Sequence, residues 1–220
     1  GPPDVAASVL ARRPEVVTQA GRVQAWVVGP GTSDDDGGRV LGALAEAFES
    51  RVPVVVDAGA LPALGSLAEP LPPHAVLTPH AGELAALVSA RGVAVERAEV
   101  DAEPWRWARA AHELTGATVL LKGAVTVVVG PSGVYAQAEA PAWLATAGAG
   151  DVLAGVLGAL LAGRSADVAH DVDLPARLAA VAASVCGRAA RLVSGGGPIA
   201  ALDVAEALPR AVAELLGTRA

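Results

Sequence analysis

ATAGAGDVLAGVLGALLA, residues 145–162, sets small residues ahead of Asp151 and an apolar helix behind it. Val152, Leu153, Val156, Leu157, Leu160 and Leu161 recur at helical spacing. Ala154, Gly155, Gly158 and Ala159 fill the remaining positions, which predicts a helix buried almost all round. Its N-terminus then turns the amides from Gly148 to Gly150 outward with no side chain in the way. Unpaired N–H groups and the positive end of a helix dipole make an anion site, and a phosphate suits it. A carboxylate at Asp151 would compete with that anion. Two readings explain it: Asp151 caps the helix, or it is a base that takes a proton from a hydroxyl attacking the phosphate.

Outward from this stretch the chain alternates strands and helices. Residues 24–28 (QAWVV) read as a strand ending in Gly29-Pro30-Gly31, residues 53–56 (PVVV) as a buried strand ending in Asp57, and residues 75–77 as a short strand before Thr78-Pro79-His80. Residues 118–121, 126–129 and 134–137 are so closely spaced that the sheet is expected to turn partly antiparallel there. Helices are expected over residues 4–12, 39–51, 81–91, 104–115 and 175–193, with a C-terminal pair broken near Pro209. The long helix should bury Leu178, Val181, Ala182, Val185, Ala189 and Leu192. A further strand is expected at residues 15–17, a surface loop over residues 33–38 and a proline-rich irregular stretch over residues 61–73. Trp105 and Trp107 fall on different faces of their helix, so at most one is fully buried. The pattern is an α/β domain with a mostly parallel central sheet and helices on both faces.

Composition narrows the functions this fold can host. The 220 residues are 53% hydrophobic, enough for one packed core, and exclude a disordered chain. A net charge of −7 argues against general nucleic-acid binding. No apolar run reaches the ~18 residues of a membrane span. Cys186 is the one cysteine, which rules out an intrachain disulfide and fits a reducing cytoplasm. Methionine is absent altogether, and Lys122 is the one lysine against fifteen arginines. An ammonium kept in so arginine-rich a chain points to a site that needs a compact point charge, the alternative being a compositional accident. The GxxxxGK[ST] phosphate loop does not occur. Ligand groups instead collect after the strands, at Gly29–Gly31, Thr78–Glu83, Lys122–Thr126 and Gly148–Asp151, the edge at which open α/β sheets bind ligands.

In that order and combination, VVGPG (27–31), LTPHAGEL (77–84), LLKGAVTVV (120–128) and ATAGAGDVLAGVLGALLA resemble the ADP/ATP-dependent NAD(P)H-hydrate dehydratases of the ribokinase-like superfamily. The resemblance implies a ribokinase-like fold and repair of damaged nicotinamide cofactor. The hydroxyl at C6 of the S-form hydrate is phosphorylated, and loss of phosphate restores NADH or NADPH. ADP is the implied donor, becoming AMP, with Mg2+. By motif, Gly31 and His80 would contact the hydrate and Asp151 would face it as base. Lys122, Gly123, Ala124, Val125, Thr126, Gly148 and Gly150 would hold the nucleotide, and Glu83 is the candidate for a water-mediated magnesium contact. Each keeps a plainer alternative: a turn glycine at Gly31, a helix start satisfied by backbone at His80, a dipole partner at Glu83.

The resemblance has departures. Ala149 stands where the family carries Thr or Ser, Gly59 where it carries a second aspartate, Thr32-Ser33 where it carries Leu-Gly, and Cys186 where a histidine is frequent. Asp151 and Lys122 are intact. The family further implies a homotetramer, a cytoplasmic location and an NAD(P)H-hydrate epimerase as functional partner, fused upstream in some members. A chain without methionine that opens on a helix is expected to lack the family's first strand–helix unit. Two other readings stay open: a ribokinase-like kinase of a vitamin-precursor alcohol, and a nucleotide-binding module without turnover.

Overall fold

The computed structural model describes residues 3–19, 21–32, 34–67 and 69–217. In chain order its elements are α1 (Pro3–Arg12), β1 (Trp26–Val28), α2 (Gly37–Ser50), β2 (Val54–Val56), β3 (Ala75–Leu77), α3 (Ala81–Ala90), α4 (Arg97–Ala102), α5 (Pro104–Thr115), β4 (Thr118–Leu121), β5 (Thr126–Val129), β6 (Val134–Gln137), α6 (Ala149–Gly163), α7 (Ser165–Val168), α8 (Leu174–Ser194) and α9 (Ala201–Leu215). The strands form one sheet in the order β1-β2-β3-β4-β5-β6. β1 to β4 run parallel and β5 and β6 return antiparallel. The reversal follows from chain length: the few residues between these strands allow hairpins, whereas a parallel crossover needs a dozen or more.

β2, β3, β4 and β5 are apolar on both sides because both faces of the sheet are covered there. Val54, Val56, Leu77, Val119, Leu121, Val127 and Val129 face a layer with α2, α3 and α5. Val55, Val76, Leu120 and Val128 face a layer with α6 and α8. A third, smaller cluster seats α9 on α8 through Ala189, Ala190, Val204, Ala207 and Ala211. α6 lies close enough to the sheet that a Cβ on Gly158 would stand 2.4 Å from Val27 Cγ2. Gly158→Ala is therefore expected to cost about 1–2 kcal/mol by overpacking against a side chain stiff at χ1. Trimming the neighbour as well, in Gly158→Ala/Val27→Ala, should recover most of the loss in a urea melt. A double variant no more stable than Gly158→Ala would place the strain elsewhere.

The structure departs from the sequence reading at several places, among them α4 and α7, which that reading did not include. Residues 15–17 form no strand: Val16 N–H donates to Arg13 O in a turn, and Val17 is 84% exposed. Val16 and Val17 have no neighbouring strand to pair with among the described residues. The expected break at Pro209 is absent, and α9 runs through it. Pro209 faces solvent, so the carbonyl it leaves unbonded is open to water, while buried Val204, Ala207 and Ala211 hold the helix on both sides of it. α6 is not buried all round. Gly155 and Ala159 are exposed, because α8, α9 and the sheet leave one side of it uncovered. Val181 on α8 is likewise 46% exposed. The expected loop at residues 33–38 shortens to a 3₁₀ turn, Asp34–Asp36, ahead of α2; Ser33 lies outside the described residues. Trp107 is buried at 7% and Trp105 exposed at 57%, as their spacing requires.

Burial also sets the chemistry of the one thiol. Cys186 is packed inside the α6–α8 layer, and desolvation pushes its pKa from an ordinary 9.0 up to about 12. Between those values only the unfolded chain gives up the proton. The contribution of this group to stability is thus complete below pH 9 and shrinks as pH rises toward 12. Cys186→Ala is expected to flatten the alkaline fall of the urea midpoint, and native Cys186 to resist disulfide-exchange reagents that label it in denaturant. Parallel midpoint curves for the two proteins across that window would contradict this.

Candidate active site

Four strand ends meet at one edge. After β1, Gly29 has φ +117°, and a Cβ there would lie 1.7 Å from the backbone oxygen of Asp57. Only glycine lets the GPG turn sit down on the end of β2. After β2, Asp57 N–H donates to Val28 O at 3.0 Å, and its own carbonyl accepts from Ala60 N at 3.1 Å. After β3, Thr78 N–H donates to Val56 O at 3.1 Å, and Lys122 N–H, after β4, donates to Pro79 O at 2.8 Å. The parallel ladder thus continues one residue past the strands and carries the polar residues with it.

His80 opens α3. Its Nδ1 accepts from the amides of Gly82 at 3.0 Å and Glu83 at 3.2 Å, and Glu83 Oε2 accepts from His80 N–H at 2.7 Å. This reciprocal capping box fixes the ring. With Nδ1 held as acceptor, the ring proton sits on Nε2, which lies 3.6 Å from Glu83 Oε1 on the exposed side of the ring. Glu83 Oε2 also faces Lys122 Nζ, at 3.7 Å. Lys122 donates at 2.7 Å to Asp57 Oδ1, a carboxylate with only 1% of its side chain exposed.

The first turn of α6 closes the arrangement. Gly148 is its N-cap, with no side-chain cap, so Asp151 is not the cap residue. Ala149 N–H donates to Thr146 O at 3.2 Å, and the next two amides, Gly150 and Asp151, have no acceptor among the described residues. A side chain at Gly150 would begin 3.4 Å from Lys122 Nζ and 3.9 Å from Asp57 Oδ2. The first turn of α6 therefore packs against the Lys122 ammonium at Gly150. Asp151 is exposed, with no hydrogen bond or ion pair to its carboxylate among the described residues.

Sequence reasoning named most of these positions. His80, Glu83, Lys122 and Gly150 are brought together, with Gly148 and Asp151 on the same turn. Gly123, Ala124 and Val125 form the bend between β4 and β5 ahead of Thr126, at the same edge. Gly31, φ +69°, has open space where a Cβ would stand. Asp57 was not foreseen as part of the site. Its signal was available: an all-apolar strand ending in a carboxylate needs a buried cation. Among the described residues no cluster of three His, Cys, Asp or Glu could cage a metal ion.

A family model described as NAD(P)H-hydrate dehydratase matches residues 2–210. The bifunctional NAD(P)H-hydrate repair enzyme Nnr of Mycobacterium tuberculosis is 46% identical over 165 residues, 71% of this chain and 33% of that protein. The ADP-dependent (S)-NAD(P)H-hydrate dehydratase of Neisseria meningitidis serogroup B is 40% identical over 148 residues, 64% of this chain and 48% of that protein. The matched part of these relatives is thus less than half of their length. Among solved structures, the ADP/ATP-dependent NAD(P)H-hydrate dehydratase of Bacillus subtilis, co-crystallized with ATP/Mg2+, superposes with a TM-score of 0.77. That match covers 96% of this chain and 76% of the other at 23% identity, a likeness of fold. With a ribokinase-like α/β fold and a family model spanning nearly all of its length, this chain belongs to the NAD(P)H-hydrate dehydratase family.

Proposed function

We propose that the chain dehydrates (6S)-NAD(P)H hydrate to NAD(P)H at the expense of ADP, which becomes AMP and phosphate. The observation that carries this reading is the partnerless carboxylate of Asp151 on a helix turn with two open amides, a turn that packs against Lys122 at Gly150. Its oxygens have no other partner among the described residues, so they are open to a substrate hydroxyl. In the proposed reaction the α6 amides and Lys122 hold the terminal phosphate of ADP. The Gly123–Thr126 bend carries the rest of the nucleotide. His80 Nε2 and the backbone at Gly31 hold the hydrate. Asp151 removes the proton of the C6 hydroxyl as its oxygen bonds to the β-phosphorus and the bond to the bridging oxygen of AMP breaks. Loss of phosphate from C6 and of a proton from C5 then restores the ring double bond.

The residues fit a magnesium ion that arrives with the nucleotide. Such ions are held through one or two carboxylates and the phosphates themselves, and half-exposed Glu83 is the carboxylate that would take part, through water. When bound, the ion would neutralise phosphate charge. A homotetramer, a cytoplasmic location and an epimerase partner that interconverts the two hydrate forms complete the reading.

Incubation with NADH hydrate, magnesium and either ADP or ATP tests it, through the near-ultraviolet absorbance of reduced nicotinamide and the nucleotide product. Recovered absorbance with AMP formed from ADP is the expected result. Phosphoryl transfer to a vitamin-precursor alcohol, with the hydrate untouched, would favour a kinase. Nucleotide binding with no product of either kind would leave a binding module.

A further inference from the structure

We propose that Asp57 is a positioning residue: it holds the Lys122 ammonium against the first turn of α6, so that Lys122 meets a nucleotide phosphate already oriented. The proposal rests on the ADP-dependent reaction above. Asp57 stands at the end of a strand with a parallel neighbour on each side, and backbone hydrogen bonds to Val28 and Ala60 fix it. Its carboxylate is 1% exposed, and a charge in such a place is costly to bury. An apolar side chain would pack there without that cost. Among the described residues its charged partner is Lys122, at 2.7 Å through Oδ1, and no hydrogen bond reaches Oδ2.

A lysine stem has four rotatable carbons and much rotamer entropy to lose. Here Nζ is held by Asp57 Oδ1 at 2.7 Å and faces Glu83 Oε2 at 3.7 Å, with Gly150 of α6 alongside, where a Cβ would stand 3.4 Å away. Asp57, itself an anion, adds no attraction for a phosphate. Its contribution is orientation. That separates it from a simple anion-binding lysine, because losing Asp57 should reduce turnover without weakening nucleotide binding.

The test compares wild type, Asp57→Asn, Lys122→Met and the double variant in ADP calorimetry, hydrate turnover and acylation of the single lysine by an anhydride, read by peptide mass spectrometry. Asp57→Asn should keep ADP affinity within about threefold and lose about 10- to 100-fold in kcat, the scale of a misplaced reacting group. It should also acylate Lys122 several-fold faster. In the Lys122→Met background it should change kcat by less than about twofold, since coupled residues are non-additive. Wild-type kcat in Asp57→Asn, or effects that multiply with those of Lys122→Met, would overturn the proposal. So would equal losses of ADP affinity and kcat with acylation unchanged. Should Asp57→Asn not fold, wild type decides: a Lys122 that reacts as fast as a free lysine side chain refutes the proposal, and slow acylation, slowed further by ADP, upholds it. Wild type that never converts the hydrate strikes out the reaction instead, while the acylation rates still judge Asp57.

Discussion

Asp151→Asn is expected to lower hydrate turnover by about 10²–10⁴, the usual worth of a general base, with ADP affinity little changed. The carboxylate is exposed and makes no hydrogen bond or ion pair among the described residues, so an isosteric amide disturbs no contact and the helix keeps its Gly148 cap. Removing a negative charge beside the open amides of Gly150 and Asp151 should, if anything, ease the approach of an anion. A fall in kcat with a steady or slightly tighter Kd for ADP is thus the signature of a base. A drop of less than about threefold in kcat would reduce Asp151 to a dipole partner of its helix.

Lys122→Ala is expected to act on two fronts. It leaves the Asp57 carboxylate without its cation in a place 1% exposed, which should destabilise the fold by about 3 kcal/mol. That is the lower end of the cost of orphaning a buried charge, since Lys122 itself is 21% exposed. It also removes the one ammonium beside the α6 amides, so ADP should bind more weakly. Lys122→Arg should restore the charge but not the geometry. A planar guanidinium fork is larger than an ammonium, and the space between Asp57, Glu83 and Gly150 is set for a compact group. Urea melts and calorimetry on both variants read these effects separately. Unchanged stability and ADP affinity in Lys122→Ala would make the lysine a compositional accident after all.

The sheet was legible because most of its strands are short apolar runs ended by Gly, Asp, Thr or Lys, and β3, β4, β5 and β6 fall on the residues expected. What the sequence could not carry was context beyond the local pattern. Residues 15–17 have strand-forming side chains, yet β-propensity holds only where a neighbour supplies the ladder. Pro209 breaks helices locally, yet apolar residues before and after it are seated on α8. In the candidate site the motif residues were visible one at a time. The Asp57–Lys122 pair was not, because 65 residues separate its members and only the adjacency of strand ends brings them together. Asp151 was legible as a carboxylate at a helix start; that Gly148, and not Asp151, closes the helix needed the backbone itself.

The buried thiol has a meaning apart from packing. Peroxide and related oxidants attack protein sulfur, first as accessible thiolate and then as methionine thioether. This chain has no methionine, and its single sulfur, at Cys186, is enclosed between two helices and held in the protonated state through ordinary pH. In its native state it therefore offers oxidants no sulfur target, and exposure to peroxide should leave its mass unchanged at sulfur until the fold opens.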